Sequence, residues 1–527
     1  MHYKLLVGVI FCFGFFSVSA VYANASKLVG TKVAFKHYNI TAPFQVSSPV
    51  IPVELVINEQ LPMDELVLIG VDKLKQTWLA IYTFDAPNDR YELLDKMQLS
   101  AEYFAYDVSE NSKGLYFLAK NAVVSLNYAD NLPTDKSNED KISVLSGLYL
   151  QHKQEVNSLY LLNKSNFLAQ IDFIKDVNKD GVDDIVLPDF DGLNVWIHSH
   201  NSQAVFYQHL AINPQIELSL GGVMFQPSSL FFADFNLDNR QDVAWVSKGK
   251  INYFSQDLDG KFAEQSENLV LADTIQGLNW WQITESDGEN PDQSNLTHRV
   301  VEQIKDINGD GVTDVIVRFT QSSGVLERTN DYEFYFGYID ENSTLAFKET
   351  PSTVIKAEGT LTGLKIVDVN EDNKFEVLLS SFELSVSNII GALLSGGIDQ
   401  NVLLFVLNDD DDSYENDALI SKEVELSFSL TSGQSGQPIV LLTDVNGDSR
   451  QDLILSAGEE RLSIFLGNKS KKLFNRKASK HKILLPKNGA LFEQHDINYD
   501  GKADFIMRYG RLDDASMANK VTILMVQ

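Results

Sequence analysis

Short runs of alternating apolar and polar residues fill much of the chain, and acidic turns separate them. Such alternation, rich in β-branched and aromatic residues, predicts β-strands. The stretch around residue 306 shows the order of elements: VEQIKD (301–306), DVIVRF (314–319), YEFYFGYI (332–339) and STLAFKE (343–349). The same order recurs around residue 444 as IVLLTD, DLILSA, RLSIFLG and HKILLP. The pattern predicts an all-β chain built from a repeat of four antiparallel strands.

An acidic loop of the form D-x-N-x-D-x-x-x-[DE] connects the first two strands of six repeats. Oxygen-bearing side chains stand at its positions 1, 3, 5 and 9, and successive loops begin 52 to 76 residues apart. One such loop could arise by chance, but six in register indicate a shared role. The candidate ligands are Asp176, Asn178, Asp180 and Asp184; Asp234, Asn236, Asp238 and Asp242; Asp306, Asn308, Asp310 and Asp314; Asp368, Asn370, Asp372 and Glu376; Asp444, Asn446, Asp448 and Asp452; and Asp496, Asn498, Asp500 and Asp504.

This donor set predicts Ca²⁺, which takes six to eight oxygen ligands in a flexible shell. A backbone carbonyl at position 7 would add a further ligand, and the absence of Cys and His argues against zinc or copper. An EF-hand would require a Glu at position 12. That position is apolar in the three loops with Gly at position 6, where it is Leu187, Val317 or Met507. The sequence therefore predicts calcium turns within β-hairpins, with a structural role for the metal.

Position 6 of the loops indicates a sharp reversal of the backbone. Gly and Asn tolerate a left-handed conformation better than other residues do. Ser449 is the poorest fit at this position. The six residues are Gly181, Asn239, Gly311, Asn373, Ser449 and Gly501.

Four strands in a period of about 60 residues are typical of a β-propeller blade. The last repeat ends after three strands, so we expect the stretch 28–40 to complete it and close the ring. Residues 51–98 would form a blade without a loop, and a degenerate loop begins at Asp107. This gives eight blades, with seven as the alternative. We expect insertions at 277–299 and 385–417, the second with a short helix or lid around 389–394.

Composition and the N-terminus predict an exported protein. Asp and Glu number 73 against 43 Lys and Arg, and the net charge of −30 disfavours binding to nucleic acid or anionic membranes. Residues 1–23 read as a signal peptide, with Lys4, an apolar core and a small-x-small cleavage site. The sole cysteine, Cys12, lies in that core. We therefore expect a single domain at 24–527, periplasmic or extracellular, without disulfides and without a later membrane span.

The loops, their spacing and the D-[ILV]-x-[ILV] strand that follows resemble the FG-GAP/VCBS repeats of bacterial exported proteins. The calcium-loop propeller of integrin α-subunits is similar to the same scheme. The resemblance covers about 170–510, with weaker support over 50–170. It implies a propeller with calcium in the turn between the first two strands of a blade, and it does not extend clearly to Asp107. It implies little about function, because this scaffold hosts binding proteins, adhesins and some polysaccharide-cleaving enzymes.

No catalytic motif stands out in the sequence, so catalytic activity is left open and no catalytic residue is assigned. The favoured hypothesis is a binding or interaction module for a protein or a carbohydrate. Trp280 and Trp281 are candidate ligand-binding residues, although a core-packing role suits them equally. One alternative is a secreted polysaccharide-degrading lyase or hydrolase on a propeller face. The other is a structural subunit of a cell-envelope assembly.

Overall fold

Strands make up almost all of the regular structure in the computed structural model of this chain. The residues that it describes are 33–55, 62–110, 113–128, 147–160, 168–199, 202–219, 222–283, 292–324, 327–356, 360–382, 397–408, 412–429 and 434–527. The region from Val33 to Gln527 forms one compact unit. The predicted signal peptide at 1–23 and the predicted helix around 389–394 lie outside the described residues.

The strands in this part of the chain are β1 (Phe35–Thr41), β2 (Gln45–Val46), β3 (Ile51–Val53), β4 (Glu65–Val71), β5 (Thr77–Asp85), β6 (Arg90–Gln98), β7 (Ala105–Val108), β8 (Leu115–Leu118), β9 (Ala122–Tyr128), β10 (Leu148–Glu155), β11 (Ala169–Gln170), β12 (Ile174–Lys175), β13 (Asp184–Asp189), β14 (Gly192–Ser199), β15 (Ser202–Leu210), β16 (Gln215–Ser219), β17 (Gly222–Gln226), β18 (Leu230–Ala233), β19 (Asp242–Ser247), β20 (Lys250–Phe254), β21 (Glu267–Leu269), β22 (Leu296–Lys305), β23 (Asp314–Ser322), β24 (Arg328–Tyr335), β25 (Gly337–Ile339), β26 (Leu345–Phe347), β27 (Thr353–Ile355), β28 (Thr360–Val367), β29 (Glu376–Phe382), β30 (Gly397–Phe405), β31 (Ile420–Ser429), β32 (Gln434–Gly436), β33 (Val440–Thr443), β34 (Asp452–Ser456), β35 (Arg461–Phe465), β36 (Ser479–Lys482), β37 (Phe492–His495), β38 (Asp504–Arg508) and β39 (Lys520–Val526). Short 3₁₀ helices span Trp280–Gln282, Gln293–Asn295, Gly489–Leu491 and Ala515–Met517.

Most strands pair with their neighbours in sequence, which gives antiparallel meanders of four strands. Such sheets are β12 to β15, β18 to β21 and β33 to β36, and β7 to β10 form another to which β11 adds in parallel. Strands β4, β5 and β6 are joined by β2 and β3. Two meanders share a nine-stranded sheet, where one parallel pair, Asn330 with Thr360, links β24 to β28. The predicted all-β, antiparallel organisation is thus confirmed.

The two ends of the described chain share one sheet, in the order β1, β39, β38, β37. Strand β1 pairs antiparallel with β39 from Phe35 opposite Val526 to Thr41 opposite Lys520. The last three strands therefore receive their fourth strand from the stretch that the sequence singled out for it.

Buried aliphatic and aromatic side chains lie between successive sheets. Val186 and Val195 pack with Val243 and Trp245 of the next sheet along the chain. Leu66 and Leu68 pack with Ile506 and Ile523, so the sheet made by both ends is joined to its neighbour in the same way. Burying one such side chain stabilises a protein by roughly 1.5–3 kcal/mol.

One strand assignment near residue 340 was wrong. The run 332–339 was expected to be one strand, with 343–349 beside it. Instead β24 ends at Tyr335, and β25 pairs with β26 in a separate hairpin, while β27 takes the place beside β24. Just after β24, the N–H of Gly337 donates to a carboxylate oxygen of Asp314, 2.9 Å away.

Both predicted insertions are shorter than expected. Strand β22 already begins at Leu296, within the expected insertion 277–299. Strand β30 occupies 397–405, within the expected insertion 385–417, and its buried residues alternate at Gln400, Val402 and Leu404. The apolar run before β30 has a helical spacing, so the sequence predicted a helix near 389–394 and not the strand that follows it.

Candidate metal-binding loops

All six predicted loops connect the first and second strands of their meanders, and all six have the same hydrogen-bond network. In the loop 306–314, the N–H of Gly311 donates to Oδ2 of Asp306 at 2.9 Å. The N–H of Asp310 donates to Oδ1 of Asn308 at 3.2 Å, and the N–H of Val312 to Oδ1 of Asp310 at 2.8 Å. The side chains at positions 1, 3 and 5 are thus held in one turn. Equivalent contacts recur in the other five loops.

Position 6 is left-handed in every loop, as predicted, including Ser449 with φ 67°. Position 4 is also left-handed in every loop, which the sequence did not indicate. Only two of its residues are glycine, and the others are types for which this conformation costs roughly 1–2 kcal/mol. The six residues at position 4 are Lys179, Leu237, Gly309, Glu371, Gly447 and Tyr499.

Position 9 is the first residue of the second strand and is buried. Oδ2 of Asp314 accepts the N–H of Ile307 at 2.8 Å, and Oδ1 accepts that of Gly337 at 2.9 Å. The carboxylate therefore ties the start of the loop to the residues that directly follow the third strand. Burial raises the pKa of these acids to about 6 for Asp242 and to about 7 for Asp184, Asp314, Glu376, Asp452 and Asp504.

The donor chemistry fits a calcium ion best at positions 1, 3 and 5. Each loop offers two carboxylates and one amide there, all hard-oxygen donors. Among the described residues, no three Asp, Glu, His or Cys side chains gather as a metal-binding group, and positions 1, 3 and 5 supply two acids and one Asn in each loop. At position 9, Oδ1 of Asp504 accepts the N–H of Val526, but its Oδ2 is buried without a hydrogen-bond partner in the described part of the chain. The Oδ2 atoms of Asp184, Asp242 and Asp452 each accept a backbone N–H. The residues that would hold the ion are thus those at positions 1, 3 and 5, and ligation by position 9 stays a prediction.

Successive loops also contact one another. A residue at position 8 donates to a backbone carbonyl at position 1 or 2 of the preceding loop. The donors and acceptors are Thr313 Oγ1 to Asp234 O (2.6 Å), Phe375 N to Ile307 O (3.0 Å), Gln451 N to Val369 O (3.4 Å) and Ala503 N to Asp444 O (2.8 Å). The N–H of Asp64 continues the series by donating to Ile497 O at 3.0 Å. The five loops from 234 onward are therefore linked to one another and to the start of β4.

The meander without a loop keeps the acid at the start of its second strand. Glu65 opens β4, is 3% exposed, and its Oε2 accepts the N–H of Leu55 at 2.9 Å. The sequence did signal this residue, because ELVL at 65–68 matches the D-[ILV]-x-[ILV] pattern with Glu for Asp. Sequence reasoning missed it because no metal loop precedes it.

Asp107, the first residue of the predicted degenerate loop, contacts a distant segment, while Asn111 of that loop lies outside the described residues. Its Oδ2 accepts the N–H groups of Phe173 (2.6 Å) and Ile174 (2.7 Å), next to the strand that opens the following meander. Burial raises its pKa to about 6. Asp107 thus joins two sheets, and the interpretation of this segment as a degenerate calcium loop stays a prediction.

The two candidate tryptophans differ in exposure. Trp280 is 7% exposed, whereas Trp281 is 47% exposed, and their rings meet edge-on with centroids 5.6 Å apart. The guanidinium of Arg318 lies 5.0 Å from the Trp281 ring, and that of Arg328 lies 5.6 Å from the Trp280 ring. Trp280 therefore packs in the protein, and only Trp281 offers substantial surface to a ligand.

Comparisons with known proteins identify no family. No protein-family model matches the chain, and no curated protein does. Among solved structures, the Vibrio cholerae biofilm matrix protein Bap1 is similar with a TM-score of 0.40, 11% identity, and 94% of this chain and 91% of that chain covered. The WD40 domain of SCAP from fission yeast is similar with a TM-score of 0.34 and 12% identity, and 93% of this chain and 98% of that chain are covered. The periplasmic gluconolactonase PpgL of Pseudomonas aeruginosa is similar with a TM-score of 0.26 and 12% identity, and 92% of this chain and 94% of that chain are covered. Likenesses this distant assign no function. Within the described residues, no helix is long and apolar enough to cross a membrane.

Proposed function

We propose that the chain is an exported, calcium-stabilised β-propeller of eight blades that serves as a binding module for a protein or a carbohydrate. The observation that carries the proposal is the identical hydrogen-bond network in six loops whose oxygen donors suit Ca²⁺.

The sheet topology supports the count of eight blades. Eight groups of about four strands follow one another, and the last group takes β1 as its fourth strand. Pairing both chain ends in one sheet covers an edge that would otherwise be open. The hydrogen bonds between successive loops continue from residue 234 to Asp64, as a ring of adjacent blades requires.

The energetics of the loops support a structural role for calcium. Each loop holds two left-handed residues, and each gathers two carboxylates in one turn. A bound cation offsets the repulsion between those carboxylates and stabilises the folded state by mass action. At a calcium concentration twentyfold above Kd, one site contributes about 1.8 kcal/mol, so six sites acting together would contribute about 11 kcal/mol.

A binding role is supported by the exposed aromatic surface of Trp281 beside Arg318. Aromatic side chains with one face exposed stack on sugar rings and anchor protein partners. The positive charge of Arg318 is balanced by Glu302, whose carboxylate lies 2.6 Å from its Nε. Trp281 thus packs against the guanidinium of Arg318 while much of its ring stays exposed.

Thermal unfolding in calcium, magnesium or excess chelator tests the metal assignment. We expect calcium to raise Tm strongly and magnesium to raise it much less, because Mg²⁺ demands a tighter octahedral shell. The double variant Asp306→Ala/Asp310→Ala removes one site and should reduce the calcium-induced shift by about one sixth. The matched control Asp257→Ala/Asp259→Ala changes an acidic turn outside the loops and should keep the full shift. Identical melting curves in calcium and chelator would refute the calcium assignment.

Affinity capture tests the binding role. Immobilised protein would be exposed to cell-envelope and culture-fluid extracts in calcium, and bound material would be eluted with chelator. We expect enrichment of one glycan or one protein, and weaker capture by Trp281→Ala than by Phe190→Ala, a control at another exposed aromatic residue. Equal recovery from the protein column and from a blank column would count against a binding module.

A further inference from the structure

Positive charge is concentrated in one segment of this acidic chain. Residues 461–487 contain nine Lys and Arg and no Asp or Glu, which leaves 34 Lys and Arg against 73 Asp and Glu in the rest of the sequence. The nine are Arg461, Lys469, Lys471, Lys472, Arg476, Lys477, Lys480, Lys482 and Lys487. All except the half-buried Lys487 are exposed, and these eight are called the basic patch below.

The basic patch spans β35, the connection 466–478 and β36, the outer strand of its sheet. Lys482 lies 3.5 Å from Glu460, and both side chains are largely exposed. The other seven residues of the patch have no ion-pair partner within the described residues. Most of its positive charge is therefore available to a ligand.

Folding alone does not account for this arrangement. Arg461 lies directly opposite Lys482 in the pairing of β35 with β36, and like charges in that relation destabilise a sheet. Lysines on an outer strand do protect a sheet edge from aggregation. That explanation covers Lys480 and Lys482, but it does not cover the cations of the connection 466–478.

The equivalent connections in two other meanders carry the opposite charge. An isolated antiparallel bridge closes each connection: Gly467 with Phe474, Leu407 with Tyr414 and Gln256 with Phe262. The sequence between the bridged residues holds Lys469, Lys471 and Lys472 in the first case and Asp409 to Asp412 in the second. The third stretch holds Asp257, Asp259 and Lys261, so its net charge is also negative. The turn therefore does not require cations, and their presence needs another reason.

We propose that the basic patch binds an anionic polysaccharide. This inference rests on the proposed binding module and specifies its ligand class and its surface. A flexible polyanion can follow the exposed loop and strand edge, where charge complementarity supplies the attraction. Lysines predominate, and their mobile point charges suit distributed anionic groups better than a fixed bidentate contact.

Two other classes of polyanion fit the patch less well. Single-stranded nucleic acid binds by stacking its bases on aromatic side chains, but Phe474 is buried and Phe465 is half-buried. An anionic bilayer would face much more of the surface than the patch alone, and the chain carries a net charge of −30. That charge would oppose its approach.

The test measures binding of fluorescent dextran sulfate and of neutral dextran of the same length to the purified full-length chain. We expect dextran sulfate to bind, with an affinity that falls steeply as salt rises, and neutral dextran not to bind. The variant Lys469→Ala/Lys471→Ala/Lys472→Ala should weaken binding about tenfold or more. The control Lys73→Ala/Lys120→Ala/Lys348→Ala changes net charge equally at scattered exposed sites and should change the affinity less than about twofold.

Several outcomes would overturn the inference. These are equal affinity for the two dextrans, equal losses in the two triple variants, and tighter binding of a DNA duplex or of phosphatidylglycerol vesicles than of dextran sulfate. Calcium-dependent melting of the same samples separates this inference from the proposed function. If calcium still raises Tm and capture still yields a partner while dextran sulfate does not bind, only the assignment of the basic patch fails.

Discussion

The start of β23 at Asp314 and the start of β4 at Glu65 share a buried acid, but only the first follows a D-x-N-x-D motif in the sequence. Asp314 and Glu65 each open the second strand of their sheet, pair with the last residue of the first strand, and are buried. Asp314 accepts the N–H of Ile307, and Glu65 accepts that of Leu55. The D-x-N-x-D turn is present only in the first region.

This difference separates two roles that the sequence pattern merges. The acid at position 9 joins neighbouring backbone segments whether or not a metal loop precedes it, so its first role lies in folding. The side chains at positions 1, 3 and 5 occur only with the loop, so the predicted metal binding is assigned first to them. A D-x-N-x-D-x-x-x-D motif therefore contains a candidate metal site and a folding contact side by side.

Asp314→Ala should be the most disruptive single change in this comparison. It leaves the N–H groups of Ile307 and Gly337 without an acceptor in a buried place, which should cost about 3 kcal/mol of unfolding free energy. We expect a loss of similar size in calcium and in chelator, measured by urea unfolding. Asp399→Ala, at an exposed position of β30, is the control and should have little effect. A loss confined to calcium-containing buffer would show that Asp314 acts as a ligand.

Glu65→Ala should have a smaller effect of the same kind. The change removes the acceptor of the Leu55 N–H and of the Thr83 hydroxyl, which lies 3.3 Å from Oε1. We expect a loss of about 2 kcal/mol, with the calcium-induced rise in Tm unchanged. Glu102→Ala, at an exposed acid outside the sheets, serves as the control. A reduced calcium response in Glu65→Ala would mean that the loop-free sheet is coupled to metal binding, contrary to the separation of roles.

Local patterns in the sequence predicted much of this fold. Strand periodicity and loop spacing are properties of short segments, so the all-β class, the loop positions and the left-handed residue at position 6 could be read directly. The pairing of 35–41 with the last strand followed from a repeat that ended one strand short. Eight blades and calcium remain predictions.

The errors and omissions concern contacts between distant segments. The run 343–349 looked like a fourth strand, but its β26 pairs with β25 in a separate hairpin and β27 lies beside β24. The folding role of the acid at position 9 depends on its accepting an N–H group from a residue in or just after the third strand. The spacing of residues within the loop cannot reveal that contact. Lys179 and Glu371 are left-handed because the turn requires it, although neither residue type indicates that conformation.

Ser449→Gly should have the smallest effect of these variants, and it is the one that should increase stability. Ser449 is exposed and has φ 67°, whereas Gly181, Gly311 and Gly501 occupy the same position with φ between 78° and 83°. Glycine adopts this conformation without the steric cost that serine bears, so we expect a gain of about 0.5–1 kcal/mol in unfolding free energy. Ser470→Gly, in an exposed turn without a left-handed residue at that position, should give no gain. Since the strain in the loop is present with or without calcium, the gain should appear in both conditions. A gain only in chelator would instead indicate that bound calcium already stabilises the turn at Ser449.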